Sequence, residues 1–268
     1  METIKIIQKP IICYQGSKSR ELKIIEQFQP EKFNKLIDVF GGGFNVGLYY
    51  NKKYDNVKII YNDINKTLCD FFSIVTNKKK TIKLIKDYKL FIKYHSFEYY
   101  NKVFINKNKE YNDVLRFMYL SSTGFRGNQY SKIPRTSRNN KLIINPVTKT
   151  FENLLDVNTS NIIIKNLDYK ILLNEYKNNE DVFLYLDPPY ISKVIDEYNY
   201  SFTIDDLIFI KDFMEDEKTK CKIMLHIDFT GWTYNIFKNM IKIQYPYKYN
   251  SGTNNGIYLK YHCIICNY

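Results

Sequence analysis

The sequence predicts an α/β fold, a parallel open sheet interrupted by a long, mainly helical and basic segment that carries a hairpin. Three observations predict it. Short apolar runs, partly β-branched or aromatic, recur with helical patterns between them. That alternation stops after the helical stretch Lys66–Thr76 and resumes near Asn161. Glycines and carboxylates stand just after the apolar runs, and open α/β sheets bind ligands at the carboxyl ends of their strands. A chain of 268 residues suits one compact domain with a sizeable insertion. The expected division is 1–65 with 161–268 as a catalytic unit and 66–160 as the inserted unit.

In chain order, Ile11–Cys13 turns at Gly16 into a helical pattern containing Leu22, Ile25 and Phe28. The Gly16-Ser17-Lys18 turn can bring a cation and backbone N–H groups to an anion. Leu36–Phe40 reads as a strand running into Gly41-Gly42-Gly43, with a short helix from about Val46 to Tyr50. Glycines at that junction allow a tight turn and close approach to a ligand. Val57–Tyr61 reads as the second strand, ending in Asn62-Asp63. Asp63 lies twenty residues past Gly43, about where a nucleoside-binding unit places an acid for ribose hydroxyls. It could equally cap the helix that begins near Lys66.

Residues 77–119 read as further helical segments, followed by loops or a hairpin across Ser121–Asn128 and the Pro134/Pro146 region. Asn161–Lys165 is the next strand, ending in Leu167-Asp168-Tyr169, with a helix toward Tyr176. Val182–Leu186 reads as a buried strand ending in Asp187-Pro188-Pro189-Tyr190. Two prolines cannot continue its ladder, so a carboxylate, free carbonyls and an aromatic ring are fixed at the strand's end. A bare D-P-P-Y also reads as a proline-terminated strand with a capping Asp. An acidic helix over Asp205–Lys218, a strand Cys221–Ile227 ending at Asp228, a helix Trp232–Ile241 and a hairpin-like strand Gly256–Cys266 complete the chain.

Charge is unevenly placed. The net charge is +12, yet 66–160 alone holds 18 Lys+Arg against 7 Asp+Glu. Within it, Val114–Phe151 has no acid and seven basic residues, among them Arg116, Arg126, Lys132, Arg135 and Arg138. A patch of one sign suits a polyanion, most simply a nucleic-acid backbone. The five cysteines, an odd number, predict free thiols in a reducing, cytoplasmic compartment. Cys263 and Cys266, three apart in a strand, should point to opposite faces and pack in the core. No apolar stretch reaches the ~18 residues of a membrane helix, and the start lacks a signal-peptide layout. No membrane or metal is expected.

The motifs together resemble the Dam-type (D12 class) DNA adenine-N6 methyltransferases. Tyr14-Gln15-Gly16-Ser17-Lys18 is similar to the family's aromatic-x-Gly-x-Lys element. Asp38-Val39-Phe40-Gly41-Gly42-Gly43 resembles its cofactor loop, less the usual Pro. Asn62-Asp63-Ile64-Asn65 resembles its D-I-N, Asp168-Tyr169 its Asp-Phe, and Asp187–Tyr190 its catalytic tetrad. Tyr200–Thr203 and the closing Ile264–Tyr268 also fit. Two segments depart. Leu225-His226-Ile227-Asp228 stands for the family's S-N-x-D, and Tyr130–Arg135 for F-N-V-P-F-G in the recognition hairpin, whereas Thr123–Asn128 keeps the upstream likeness.

The resemblance implies a Rossmann-like methyltransferase sheet that uses S-adenosyl-L-methionine. Tyr14, Lys18, Phe40, Gly41, Gly43, Asp63, Asp168 and Asp187 would form the cofactor site, with Lys18 near the methionine carboxylate and Asp168 at the cofactor's adenine. Asp187, Pro188, Pro189 and Tyr190 would act on a flipped-out adenine. Arg116, Arg126, Asn128, Lys132, Arg135 and Arg138 would contact double-stranded DNA at a short site, GATC among the candidates. A cognate restriction endonuclease acting on the same site is the implied partner. Alternatives are a methyltransferase acting on RNA or cytosine N4, a protein-glutamine methyltransferase, a non-enzymatic nucleic-acid-binding module and a nicotinamide-dependent oxidoreductase.

Overall fold

The computed structural model describes residues 11, 12, 14, 16–106, 109–125, 128–137, 139–144, 159–189, 191, 202–250 and 257–268. Its centre is a seven-stranded sheet. The strands are β1 (Lys35–Asp38), β2 (Lys58–Asn62), β3 (Ile162–Lys165), β4 (Val182–Leu186), β5 (Lys222–Asp228), β6 (Ile241–Asn250) and β7 (Ile257–Cys266). Their spatial order is β3-β2-β1-β4-β5-β7-β6. The first five run parallel, and β7 enters antiparallel between β5 and β6. Strand order reverses between β1 and β4. A crevice opens at such a switch point, outside the carboxyl ends of the strands. This is the open, Rossmann-like α/β sheet that the resemblance implies.

Helix α1 (Leu22–Gln27) precedes β1, α2 (Asn45–Lys53) connects β1 to β2, and α3 (Lys66–Val75) follows β2. Then α4 (Lys78–Phe91), α5 (Phe97–Ile105) and α6 (Asp113–Thr123) follow in succession. Later come α7 (Tyr169–Tyr176), α8 (Ile204–Glu215) and α9 (Gly231–Phe237). Local chemistry explains the starts. Asn65, Asn77, Ser96, Asn112 and Asp168 each accept backbone N–H bonds as N-caps, satisfying donors the helix leaves open. Asn65 therefore caps α3, the role the sequence left open to Asp63.

The sheet separates two apolar cores. One face of β4 sends Phe183 and Tyr185 into a cluster with α2, α3 and helices α4–α6. The other sends Leu184 and Leu186 toward α7 and α8. Phe71, Leu84 and Phe117 pack in the same cluster as Phe44 and Tyr61, so one continuous core ties the helical segment to the sheet. Cys266 packs in the first core and Cys263 in the second, on opposite faces as their spacing predicts.

Two differences from the sequence reading stand out. Strand β6 occupies Ile241–Asn250, where only the end of a helix was expected. Its alternation of Ile241, Ile243, Tyr245 and Tyr247 is interrupted by Pro246, and the strand tolerates that proline because it lies at the sheet edge. The hairpin after α6 is short: isolated bridges pair Gly124 with Pro134 and Thr136 with Leu142. Among the described residues, no helix is long and apolar enough to cross a membrane.

Candidate active site

The carboxyl ends of β1, β2 and β4 converge on one cleft. After β1 the chain turns through Gly41, whose N–H donates to Asn62 O at 2.7 Å, and Gly42, at φ +47°. Gly41 must be glycine, because a Cβ there would lie 2.2 Å from the Tyr61 ring. Phe44 completes the turn in the left-handed region at φ 58°. Such backbone is costly for a bulky residue, and here its ring is fully buried against Tyr61 and Phe72.

Asp63 clasps this turn. One carboxylate oxygen accepts the Gly42 N–H at 2.9 Å and the other the Asn65 N–H at 2.8 Å. Burial pushes its pKa up to about 6, against the opposing pull of those two N–H groups. Asn62 joins the neighbouring strand exits, donating to Val39 O and Leu167 O and accepting from Leu167 N. Asp38, at the end of β1, is buried and accepts the Gly47 N–H at 3.2 Å. Burial, with the nearby Asp187 and Asp63, raises its pKa well above the ordinary value.

Beyond β4, Asp187 meets Lys18, whose Nζ donates to its carboxylate oxygens at 2.6 and 2.5 Å and to Gly16 O at 3.2 Å. The ammonium is buried. Burial works against its charge, but the Asp187 carboxylate outweighs that and raises the Lys18 pKa. Tyr185 lies two residues earlier on the same strand face, and its hydroxyl is 2.8 Å from His226 Nδ1.

Behind this pair is a buried polar network. Glu21 Oε1 accepts from Tyr245 Oη at 2.7 Å and lies 2.6 Å from His262 Nδ1. His226 Nε2 lies 2.6 Å from the same tyrosine hydroxyl. Burial opposes the Glu21 charge, yet the bonds to His226 and His262 hold its carboxyl well below the usual range. Burial lowers His226. His262 is also desolvated, but the carboxylates of Asp228 and Glu21 raise it. Glu21, His226 and His262 bring their donor atoms within 4.8 Å of one another. Within this set Glu21 Oε1 bonds His262 Nδ1 at 2.6 Å and lies 3.2 Å from His226 Nε2, and the Tyr245 hydroxyl bridges Glu21 and His226.

Of the residues the motifs single out, Tyr14, Lys18, Phe40, Gly41, Gly43 and Asp63 line the cleft. So do Asp187, Pro188, Pro189 and Asn128. Asp168 does not line it; its carboxylate caps α7 through the Lys170 N–H at 2.8 Å. The ring of the next residue, Tyr169, packs tilted against Phe40 with centroids 5.2 Å apart. Arg116 is engaged elsewhere, its guanidinium donating to Val103 O and Phe104 O at 2.8 and 2.7 Å. It thereby closes the carbonyl end of α5, a role that the charge pattern does not announce. Lys132 and Arg135 are exposed beside the bridge of Gly124 and Pro134. Tyr190, Arg126 and Arg138 lie outside the described residues.

Sequence reasoning missed Asp38, Asn45, Phe117, Gln129 and Tyr185 as lining residues. For Asp38 the signal was its place before the glycine run. Phe117 and Gln129 carried none, since they reach the cleft only through the packing of α6 and its following loop.

Known proteins match this chain in sequence along most of its length. Residues 14–251 match the model of the D12 class N6 adenine-specific DNA methyltransferases. The chain is 28% identical over 261 residues to the type II methyltransferase M.CviBI of Paramecium bursaria Chlorella virus NC1A, covering 92% of this chain and 94% of that protein. It is also 28% identical over 263 residues to the type II methyltransferase M.MjaIII of Methanocaldococcus jannaschii, covering 85% and 89%. A third match, to the modification methylase StsI of Streptococcus sanguinis, has 27% identity and covers 70% of this chain and 29% of that protein.

Proposed function

The chain belongs to the D12 class N6 adenine-specific DNA methyltransferases, and from that premise we propose that it moves the methyl group of S-adenosylmethionine to N6 of an adenine flipped out of a short duplex site. The cofactor, when bound, supplies a methyl group activated on a sulfonium. The residues fit such a group: the turn at Gly41 and Gly42 has no side chains to block a close approach, and Asp63 offers a carboxylate for ribose hydroxyls. Tyr14, Phe40 and Gly43 would complete the cradle. Asp168, which caps α7 outside the cleft lining, would approach the cofactor's adenine from beside the Tyr169–Phe40 ring pair.

The observation that carries the reading is Asp187, followed by Pro188 and Pro189, on the rim of the same cleft as Asp63 and the glycine turn. A base inside a duplex cannot be reached, so flipping costs roughly a few kcal/mol. Asp187 and the Pro188 carbonyl would then accept hydrogen bonds from the exocyclic amine, aiming the nitrogen lone pair at the methyl carbon. The N–C bond would form in line as the carbon–sulfur bond breaks with its electron pair left on sulfur, and the surplus amine proton would pass to solvent. The gain is chiefly one of orientation. Lys18 fixes the orientation of the Asp187 carboxylate, and Tyr190 would stack on the flipped base.

The segment 66–160 supplies the opposite wall and the choice of target. Asn128, Gln129 and Tyr130 reach the cleft from it, and Lys132 and Arg135 would hold phosphate or read guanine. Relatives named as type II methyltransferases support a short duplex target. The test is to incubate the protein with S-adenosylmethionine and duplex DNA, digest to nucleosides and separate them by mass spectrometry. N6-methyladenine is the expected product; N4-methylcytosine without N6-methyladenine overturns the assignment of Asp187 to an adenine pocket.

A further inference from the structure

The last forty residues form a second acid-free stretch. After Asp228 the chain contains no Asp or Glu, four lysines (Lys238, Lys242, Lys248 and Lys260) and the protein's single tryptophan, Trp232. The fold places much of this stretch on the edge that holds the cleft. Asp228 ends β5 and pairs with His262 of β7. Beyond that rung β6 and β7 remain paired for five more, from Pro246–Tyr261 to Asn250–Ile257. At ~3.4 Å per residue the ribbon overhangs the sheet by about 17 Å. Because β5 is parallel to β4, this overhang leaves the sheet on the same side as Asp187.

One face of the ribbon is turned inward. There Tyr245 and His262 join the Glu21 network, and the Tyr247 ring stacks on His262 at 4.7 Å. Alternation puts Lys248, Leu259 and Tyr261 on the other face, with Lys248 directly opposite Leu259. Leu259 is 54% exposed and Tyr261 46%. The Phe229 N–H donates to Tyr261 O at 2.7 Å, which brings the start of α9 alongside. Trp232 and Tyr234, there, are 60% and 50% exposed. Asp228, just before this stretch, is already matched by Lys260 at 3.4 Å, and large aromatics left in water on a stretch that adds lysines and no further acid are unusual for a surface serving only solubility. Tyrosine and lysine side chains are regular partners of phosphate and sugar.

We propose that this ribbon and the start of α9 form a second contact surface for duplex DNA, gripping the backbone beside the target base on the far side of the cleft from Lys132 and Arg135. The inference rests on the DNA methyltransferase reading given above. Lys248 meets phosphate, and Trp232, Tyr234 and Tyr261 cover the sugar faces. The duplex is thus held on both flanks while one base leaves it.

The single tryptophan makes the test direct. Unlabelled duplex is titrated into the full-length protein while Trp232 emission is followed, and anisotropy of labelled duplex reports binding in parallel. The expected result is a change in emission that saturates with the anisotropy. Lys248→Glu combined with Tyr261→Ala should weaken DNA binding at least about fivefold and leave calorimetric binding of S-adenosylmethionine unchanged. If anisotropy shows binding while Trp232 emission and the variant's affinity stay as they were, this surface takes no DNA and the proposed function stands. Emission that follows protein concentration without DNA would make the face a contact between copies and overturn the inference. Absence of any duplex binding would overturn the DNA reading itself, and this inference with it.

Discussion

On the sheet side of the cleft, Gly41, Asp63 and Asp187 follow the ends of three strands and are tied to Asn62 O, to the Gly42 and Asn65 N–H groups and to the buried Lys18, whereas Asn128 at the cleft and the exposed Lys132 and Arg135 beyond it stand on loops joined by isolated bridges. The first wall tolerates little change. A methyl group at Gly41 collides with Tyr61, and the two oxygens of Asp63 already have donors. The second wall presents exposed cations on a short hairpin. The difference teaches where each property should reside. Methyl transfer needs fixed geometry and belongs to buried groups; choice of target needs readable, replaceable groups and belongs to exposed ones.

The comparison can be broken most severely at Asp187. Asp187→Ala should reduce methyl transfer by about 10³-fold while calorimetry still shows cofactor binding, since the proposed role of this carboxylate is toward the substrate amine. Loss of cofactor binding would make Asp187 a structural group of the sheet wall. A smaller effect is expected at Gly41. Gly41→Ala should cost about 1–3 kcal/mol of stability, read as a lower Tm, and should weaken cofactor binding because the turn must move away from Tyr61. An alanine variant with unchanged Tm and affinity would show that the turn is looser than its contacts indicate.

The raised pKa of Asp63 gives a pH dependence of moderate size. Its folded pKa of about 6 is above the ordinary carboxylate value, so the fold favours the protonated form. That contribution to the stability of the ligand-free protein is full below the ordinary value and is lost as pH rises through 6. Cofactor binding runs the other way, because ribose hydroxyls need an ionised acceptor. Affinity should rise between pH 5 and 7 and weaken about tenfold per unit well below 6. Asp63→Asn should flatten that profile, and a profile unchanged by the substitution would assign the titration elsewhere.

The smallest effect is expected on the recognition wall. Lys132→Ala with Arg135→Ala should weaken DNA binding and lower the slope of log affinity against log salt by about 0.9 for each phosphate that is no longer neutralised. An unchanged slope would remove both side chains from the phosphate backbone.

Legibility in the sequence followed the same division. Strands β1, β2, β4 and β5 announced themselves as short apolar runs because both sheet faces are covered. Asp63 and Asp187 were visible because they directly follow such runs. Strand β6 was hidden by Pro246, an edge-strand proline that reads as a breaker. The engagement of Arg116 with the end of α5 could not be read from charge, which counts a guanidinium without showing its partners. Glu21, His226 and His262 meet across more than two hundred residues, and no local pattern records such a meeting. His226 appeared only as a departure from S-N-x-D; its partners supply the reason a histidine can be buried there.

The division of labour between the two walls is tested most directly by paired calorimetry on two variants, Asp63→Ala and Lys132→Ala/Arg135→Ala, titrating each with S-adenosylmethionine and separately with duplex DNA. The account predicts that Asp63→Ala loses at least about tenfold in cofactor affinity and keeps its DNA affinity, and that the double variant does the reverse. Cofactor affinity unaffected by Asp63→Ala, or abolished in the recognition-wall variant, would contradict it.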